Sequence, residues 1–208
     1  MSPSPRLSTD RRVWAVIPAA GLSRRMGQHK LLLDIRGRPL IERIVDAFDA
    51  VPVSGIHLLV REDDLPLRRV LETLPANVHV IPHTTVDMRA SVQQLLDRLV
   101  ALCDPHPEDA WLLAPADHPV LSPDVVSTLI AASAERPDAI HVPVCDGRRG
   151  HPTLFPWRCI HDVRDIPDGH GLNWLLRQST STIVEVPVDD PGILVSLNTP
   201  EDYARLLG

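Results

Sequence analysis

Residues 13 to 30 read VWAVIPAAGLSRRMGQHK, and this stretch decides the fold class. The run Val13–Pro18 is almost continuously apolar, which is typical of a strand buried on both faces of a sheet. A loop of small residues follows, and it carries the cations Arg24, Arg25 and Lys30 without any acidic residue. A basic loop at the carboxyl end of a first buried strand predicts an anion site on an α/β sheet.

Further apolar runs recur along the chain, with amphipathic segments between them. Strands are predicted at residues 13–18, 56–60, 78–81, 110–115, 139–144 and 182–188. Helices are predicted at residues 39–50, 65–74 and 88–102, and two more begin after the caps Ser122 and Thr199. This alternation predicts an α/β fold with three layers and a mainly parallel sheet, and residues 142–155 predict a small hairpin insertion.

The chain of 208 residues is long enough for one domain with its own core. Residues 1–12 are rich in Ser, Pro and Arg and predict a disordered tail, which leaves 13–208 as a single domain. The chain has three cysteines and no CxxC spacing, which favours inert thiols in a reducing compartment. No apolar run is long enough for a membrane helix, so a cytoplasmic protein is expected.

The charge balance narrows the possible partners. Lys and Arg total 21 against 27 Asp and Glu, a net charge of -6, which excludes a nucleic-acid coat and a polybasic membrane binder. A bound anion must therefore meet a local basic cluster, and the loop that ends at Lys30 is such a cluster. The loop has neither the GxGxxG nor the GxxxxGK[ST] pattern. The alternatives are a polyphosphate site and an ordinary basic surface loop.

The candidate site residues come from two strand ends. The small residues Ala19, Ala20 and Gly21 allow a ligand to approach backbone N–H groups, and Arg25 and Lys30 supply positive charge to a polyphosphate. Asp117 follows the predicted strand 110–115, where a carboxylate suits Mg2+; the alternative is a turn-capping Asp before a proline.

Several short motifs resemble one family. They are IPAAGLSRRMG at 17–27, KLLL at 30–33, GRPL at 37–40, DMRASV at 87–92, PADHP at 115–119, RGHP at 149–152 and NTPEDY at 198–203. Together they resemble the MobA-like NTP transferases over about residues 13–207, and among these the molybdenum cofactor cytidylyltransferases. The resemblance implies a Rossmann-like sheet of the nucleotide-diphospho-sugar transferase type, an NTP donor, Mg2+ and release of pyrophosphate.

The resemblance also implies roles for further residues. Ser23 and Arg24 join the nucleotide-binding loop, and Ser91 contacts the base or a phosphate unless it caps its helix. Asn198 stands where the family often carries an acidic pair, so it is either a second metal ligand or a helper of the Thr199 cap. The acceptor side is expected at these hairpin residues: Arg149, Gly150 and His151.

The sequence Ala19-Ala20-Gly21 is similar to that of CTP users, whereas GTP users usually have Gly-Gly. The leading hypothesis is therefore a Mg2+-dependent transferase that moves CMP from CTP to a phosphorylated acceptor, with molybdopterin favoured and a molybdoenzyme as recipient of the product. One alternative is a cytidylyl or uridylyl transferase for a sugar or polyol phosphate. Another is a non-catalytic nucleotide- or cofactor-binding chaperone, which the uncharged Asn173 and Asn198 favour.

Overall fold

The computed structural model describes residues 11–23, 26–178 and 181–208. Its strands are β1 (Val13–Pro18), β2 (Gly55–Arg61), β3 (Asn77–Ile81), β4 (Ala110–Leu113), β5 (Ile140–Cys145), β6 (Arg148–Arg149), β7 (Thr153–Pro156) and β8 (Ile183–Pro187). Its helices are α1 (Leu40–Asp49), α2 (Leu65–Leu71), α3 (Met88–Cys103), α4 (Pro123–Glu135), α5 (Ile160–Arg164), α6 (Leu175–Gln178) and α7 (Pro200–Leu207). All the predicted strands and helices are present, whereas α5 and α6 lie where the sequence predicts no helix.

The sheet is mainly parallel, which confirms the predicted fold class. Strands β3, β2, β1 and β4 are adjacent in that order and parallel, and β8 runs parallel to β5. Because successive strands run in the same direction, helices such as α1 and α3 connect them across the faces of the sheet.

The hairpin insertion adds an antiparallel strand to the middle of the sheet. Asp146 and Gly147 both have positive φ, at 50° and 71°, and this turn reverses the chain between β5 and β6. The chain then continues into β7, which lies antiparallel between β4 and β5. Trp111 and Phe155 are opposite each other across β4 and β7, with their rings stacked at 4.4 Å, so the inserted strand is part of the core.

Two apolar cores cover the faces of the sheet. Alternate residues of β1 face opposite sides, with Ala15 and Ile17 towards α1, α2 and α4, and Trp14 and Val16 towards α3 and α5. Burial on both faces explains why β1 is an unbroken apolar run in the sequence.

Two residues of the expected tail, Arg11 and Arg12, contact the folded part of the chain. Residues 1–10 of the expected tail lie outside the described residues. Arg11 donates from Nη1 to the Ser133 carbonyl at 3.0 Å, and Arg12 forms an ion pair with the buried Asp109 at 2.9 Å. These two arginines are therefore bound to the folded domain.

Candidate active site

A cleft of about 510 Å3 opens at the carboxyl ends of β1 and β4. The two strands pair in parallel register, so the loops that follow them leave the sheet at the same edge. The cleft is lined by the loop after β1, by the segment before α3 and by the residues after β4. The predicted site residues among its lining are Ala19, Gly21, Ser23, Lys30, Ser91 and Asp117.

The loop after β1 presents backbone to the cleft. A Cβ on Gly21 would meet no atom within 4 Å, so this glycine leaves open space beside the main chain. Ser23 turns the loop with a φ of 48°, and its Oγ accepts a hydrogen bond from the Lys30 backbone N–H at 3.3 Å. Ala20 does not line the cleft, because its side chain is fully buried in the core on the α3 side. The predicted residues Arg24 and Arg25 lie outside the described residues.

Lys30 and Asp117 meet across the cleft. Lys30 Nζ is 3.2 Å from Asp117 Oδ2, and the two side chains are only 17% and 18% exposed. These residues follow different strands in the sequence, and the fold brings them into one ion pair. Partial burial strengthens such a pair relative to one in open water.

The Asp117 backbone also ties the site to the carboxyl-terminal segment. Its carbonyl accepts a hydrogen bond from the Leu197 N–H at 2.8 Å, which brings Asn198 to the same region of the fold. The Asn198 backbone N–H and the Thr199 N–H both donate to Asp202, which completes a capping box for α7. The Asn198 amide nitrogen donates to Ser196 Oγ at 3.1 Å. The predicted capping contribution is therefore present, and the metal-ligand role of Asn198 stays a prediction.

His151 lies near Asp117, with His118 between them. His118 was not among the predicted site residues. His118 Nε2 is 3.8 Å from Asp117 Oδ1, and the rings of His118 and His151 meet edge to face with centroids 4.6 Å apart. Burial lowers the pKa of His151 to about 4, and burial also lowers the pKa of His118. Both imidazoles are therefore neutral at pH 7. The PADHP motif contains His118 and was the signal that could have identified it.

The hairpin that carries His151 is held closely against the carboxyl-terminal segment. The His151 N–H donates to the Ile193 carbonyl at 3.0 Å, and a Cβ on Gly150 would lie 2.4 Å from that same oxygen. Gly150 is therefore required for packing. Arg149 forms an ion pair with Glu185 at 2.8 Å on the exposed side of the hairpin, and it does not line the cleft.

The segment before α3 forms another wall of the cleft. Asp87 caps α3 by accepting a hydrogen bond from the Ala90 N–H at 2.7 Å, so Ser91 is not the capping residue. Ser91 is buried, and its Oγ lies 2.6 Å from Thr85 Oγ1 at the cleft wall. Thr84 joins this segment to the first loop by donating to the Ala20 carbonyl at 3.2 Å.

The donor set of the cleft fits a hard divalent cation. Asp117 offers carboxylate oxygens at the cleft surface. The described residues contain no cluster of three or more His, Cys, Asp or Glu side chains that could hold a metal ion by themselves, so a metal ion here would need further ligands. Mg2+ typically takes one or two protein carboxylates and completes its coordination shell with water and substrate phosphates. A single carboxylate at the surface of a substrate-sized cleft is therefore compatible with Mg2+.

Comparisons with known proteins agree on one family. The family model described as the MobA-like NTP transferase domain matches residues 15–183. A molybdenum cofactor guanylyltransferase of Rhodopseudomonas palustris (strain BisB5) is 30% identical over 198 residues, which cover 92% of this chain and 90% of the relative. A 2-C-methyl-D-erythritol 4-phosphate cytidylyltransferase of Acidithiobacillus ferrooxidans (strain ATCC 53993 / BNL-5-31) is 31% identical over 143 residues, which cover 65% of this chain and 60% of the relative.

Solved structures share the fold at low sequence identity. Rv0371c from Mycobacterium tuberculosis H37Rv superposes with a TM-score of 0.80 at 22% identity and covers 95% of this chain and 97% of its own. A manganese complex of the same protein has a TM-score of 0.73 at 22% identity and covers 94% and 98%. A 4-diphosphocytidyl-2C-methyl-D-erythritol synthase has a TM-score of 0.74 at 17% identity and covers 95% and 99%. None of the described helices is long and apolar enough to cross a membrane.

Proposed function

We propose, from the premise that the chain belongs to the MobA-like NTP transferase family, that it transfers CMP from CTP to a phosphorylated acceptor and releases pyrophosphate. The observation that carries this proposal is the Lys30–Asp117 ion pair, at 3.2 Å, in the cleft at the end of β1 and β4. A cation for phosphates and a carboxylate for a metal ion are then in contact before any ligand is bound. The acceptor that we favour is molybdopterin or the molybdenum cofactor, with a molybdoenzyme as the recipient of the product.

The first loop binds the donor in this proposal. The open space at Gly21 allows the triphosphate to approach the backbone of residues 20–23, where N–H groups donate to phosphate oxygens. Lys30 Nζ leaves Asp117 and pairs with the phosphates, where its charge stabilises the negative charge that develops during transfer. We assign Arg25 to the same charge-stabilising role and Arg24 to nucleotide binding on the family resemblance alone.

Asp117 is the proposed ligand for Mg2+, and Asn198 is the proposed second ligand through its amide oxygen. When bound, the cation supplies charge compensation to the phosphate oxygens of the nucleotide. The protein itself contributes position: Leu197 holds the Asp117 backbone at 2.8 Å, and His118 lies 3.8 Å from the second carboxylate oxygen. The manganese complex of a structural neighbour favours a divalent cation here.

Transfer needs no protein nucleophile. An oxygen of the acceptor phosphate attacks the α-phosphorus of the nucleotide, the new P–O bond forms, and the bond to the bridging oxygen breaks as pyrophosphate leaves. The residues of this chain accelerate the reaction by orienting the two substrates and by neutralising charge. We place the acceptor beside His151, because this neutral imidazole reaches Asp117 through His118. Gly150 and Arg149 form the hairpin on that side.

Two candidate donor nucleotides, CTP and GTP, differ in their base. Ala19-Ala20-Gly21 favours CTP, as it is similar to the loop of CTP users. The guanylyltransferase relative at 30% identity favours GTP for the same transfer. The cytidylyltransferase relative favours CTP but has a polyol phosphate as its acceptor, so that acceptor is included among the candidates.

The deciding experiment is a pyrophosphate-release assay with CTP, GTP and UTP, each combined with molybdopterin, molybdenum cofactor or 2-C-methyl-D-erythritol 4-phosphate. The proposal predicts the fastest release with CTP and a molybdopterin-type acceptor in the presence of Mg2+. Faster release with GTP would establish the second candidate donor. Binding of nucleotide without release of pyrophosphate for any acceptor would favour the non-catalytic chaperone. The variant Lys30→Ala is the control for background release of pyrophosphate.

A further inference from the structure

A buried carboxylate lies behind the nucleotide loop and does not line the cleft. Asp64, between β2 and α2, is only 3% exposed. It caps α2, because its Oδ1 accepts a hydrogen bond from the Leu67 N–H at 3.4 Å. Ser or Thr would cap a helix equally well without the cost of burying a charge. The carboxylate at this position therefore calls for a second explanation.

The first contact of this carboxylate is with the carboxyl end of the loop. His29 Nε2 is 2.9 Å from Asp64 Oδ1 and 2.8 Å from Oδ2. His29 directly precedes Lys30, and its carbonyl accepts a hydrogen bond from the Leu32 N–H at 3.1 Å, which begins a short 3-10 helix over Lys30–Leu32. Asp64 thus holds the residue that sets the position of the Lys30 backbone.

The second contact leads to the amino end of the loop. Arg61 Nη2 is 4.0 Å from Asp64 Oδ2, the arginine side chain is only 12% exposed, and its Nε also pairs with the exposed Asp63 at 2.9 Å. The Nη1 group of Arg61 donates to the Gly21 carbonyl at 3.1 Å and to the Ala20 carbonyl at 3.5 Å. One carboxylate is therefore linked, through two different side chains, to both ends of the loop that faces the cleft.

We infer that Asp64 is a positioning residue for nucleotide binding, acting through His29 and Arg61 to keep the backbone of residues 19–23 and the Lys30 side chain at a fixed separation. This inference rests on the proposed function of that loop. Fixed separation matters because a displacement of about 1 Å at a phosphate-transfer site lowers the rate by about a hundredfold. Supporting residues behind a site hold its contacting groups to that tolerance.

The test uses Asp64→Ser, which keeps a good helix cap and removes the reach to His29 and Arg61. Ile140→Val is the control for general destabilisation, because Ile140 is fully buried in β5 and lies outside the loop and the cleft lining. Affinity for Mg2+ with CTP and for Mg2+ with GTP is measured by calorimetry. We expect Asp64→Ser to bind about tenfold more weakly, and to turn over about a hundredfold more slowly, than the wild-type protein.

Two further measurements separate positioning from simple destabilisation. Amide exchange should become faster in Asp64→Ser at residues 19–23 and 29–32, and stay unchanged there in Ile140→Val. Asp64→Asn keeps one acceptor oxygen for His29 and should give an intermediate affinity. The double variant Asp64→Ser/His29→Ala should lose less affinity than the two single losses combined, because both variants remove the same contact.

The outcomes distinguish the inference from the function that it rests on. Wild-type protein that binds neither nucleotide would overturn both the proposed function and the positioning role. Wild-type binding that Asp64→Ser leaves unchanged, or weakens no more than Ile140→Val does, would overturn the positioning role alone.

Discussion

Two pairs of histidines lie in different parts of the fold, and one pair is partly buried while the other is buried. His118 and His151 meet at the carboxyl ends of the strands beside Asp117, with ring centroids 4.6 Å apart. His57 and His79 stack between β2 and β3 near the start of these strands, with centroids 5.2 Å apart. Burial lowers the pKa of His57 to about 4, the same value that it gives His151.

The difference between the pairs lies in their hydrogen bonds and their neighbours. His57 Nδ1 is 2.9 Å from His79 Nε2, so these two nitrogens share a hydrogen bond. We call His57 and His79 the distal pair. His118 and His151 each leave a buried Nδ1 without a protein partner, and they adjoin the Lys30–Asp117 pair. A lowered pKa therefore does not mark a functional site by itself. The pair beside Asp117 differs from the other pair in its charged neighbours and in its two unpartnered Nδ1 atoms.

The largest expected effect concerns the pair of charges beside the His118–His151 pair. Lys30→Ala should weaken nucleotide binding modestly and lower turnover by about a hundredfold or more, since the lysine charge acts mainly on charge that develops during transfer. Pyrophosphate release and calorimetry measure the two quantities. Arg158→Ala removes an exposed cation that pairs with Asp138 outside the cleft and is the matched control. Unchanged turnover in Lys30→Ala would contradict the proposed role.

The next effect concerns acid stability and tests the distal pair. The unfolded chain protonates histidine near pH 6.5, whereas folded His57 is protonated only near pH 4, so the free energy of unfolding falls as the pH falls from 6.5 to 4. At about 1.36 kcal/mol per pKa unit, His57 accounts for about 3 kcal/mol of this loss. Urea unfolding at pH 7 and pH 4.5 should show a smaller loss in His57→Gln than in the wild-type protein. An equal loss in both would remove His57 from the explanation.

A smaller effect is expected at the His118–His151 pair. His151→Gln should raise the KM for the acceptor about tenfold, the equivalent of about 1.4 kcal/mol, and leave nucleotide affinity unchanged. The reason is that the imidazole lies on the acceptor side of Asp117 in the proposed function. Steady-state pyrophosphate release at varied acceptor concentration measures the change. A change in nucleotide affinity alone would place His151 on the donor side instead.

The smallest effect is expected at the matched position of the distal pair. His79→Gln makes the same exchange of side chain at the far end of the sheet. It should lower the free energy of unfolding by about 1 kcal/mol, because the hydrogen bond to His57 is weakened, and leave both KM and kcat unchanged. Urea unfolding together with the same release assay tests it. Altered kinetics at full occupancy of the folded state would show that the two pairs are coupled.

The features that could be predicted from the sequence are those with local signals. The strand at residues 13–18 appears as an apolar run because both of its faces are buried, and the caps at Ser122 and Thr199 mark the starts of α4 and α7. Lys30 and Asp117 were selected separately from their positions after strands. Their contact follows from the parallel pairing of β1 with β4.

The features that escaped prediction depend on contacts between distant segments. The contact of His118 with His151 exists only because the hairpin brings His151 against it. The place of β7 between β4 and β5 depends on packing such as that of Phe155 on Trp111, which no local pattern encodes. Helices α5 and α6 are short, and their apolar residues are too few to show a helical period. The role of Asp64 likewise appears only when the loop after β1 and the segment between β2 and α2 are seen together.

The close approach of Gly150 to Ile193 has a consequence for redesign. With no room for a side chain between them, the hairpin and the segment Pro191–Leu194 form a single interlocking surface. A hairpin grafted from a relative with another acceptor would therefore need its own partner segment transplanted with it. Under the proposed function, in which the hairpin faces the acceptor, a change of acceptor preference would require both segments to be exchanged together.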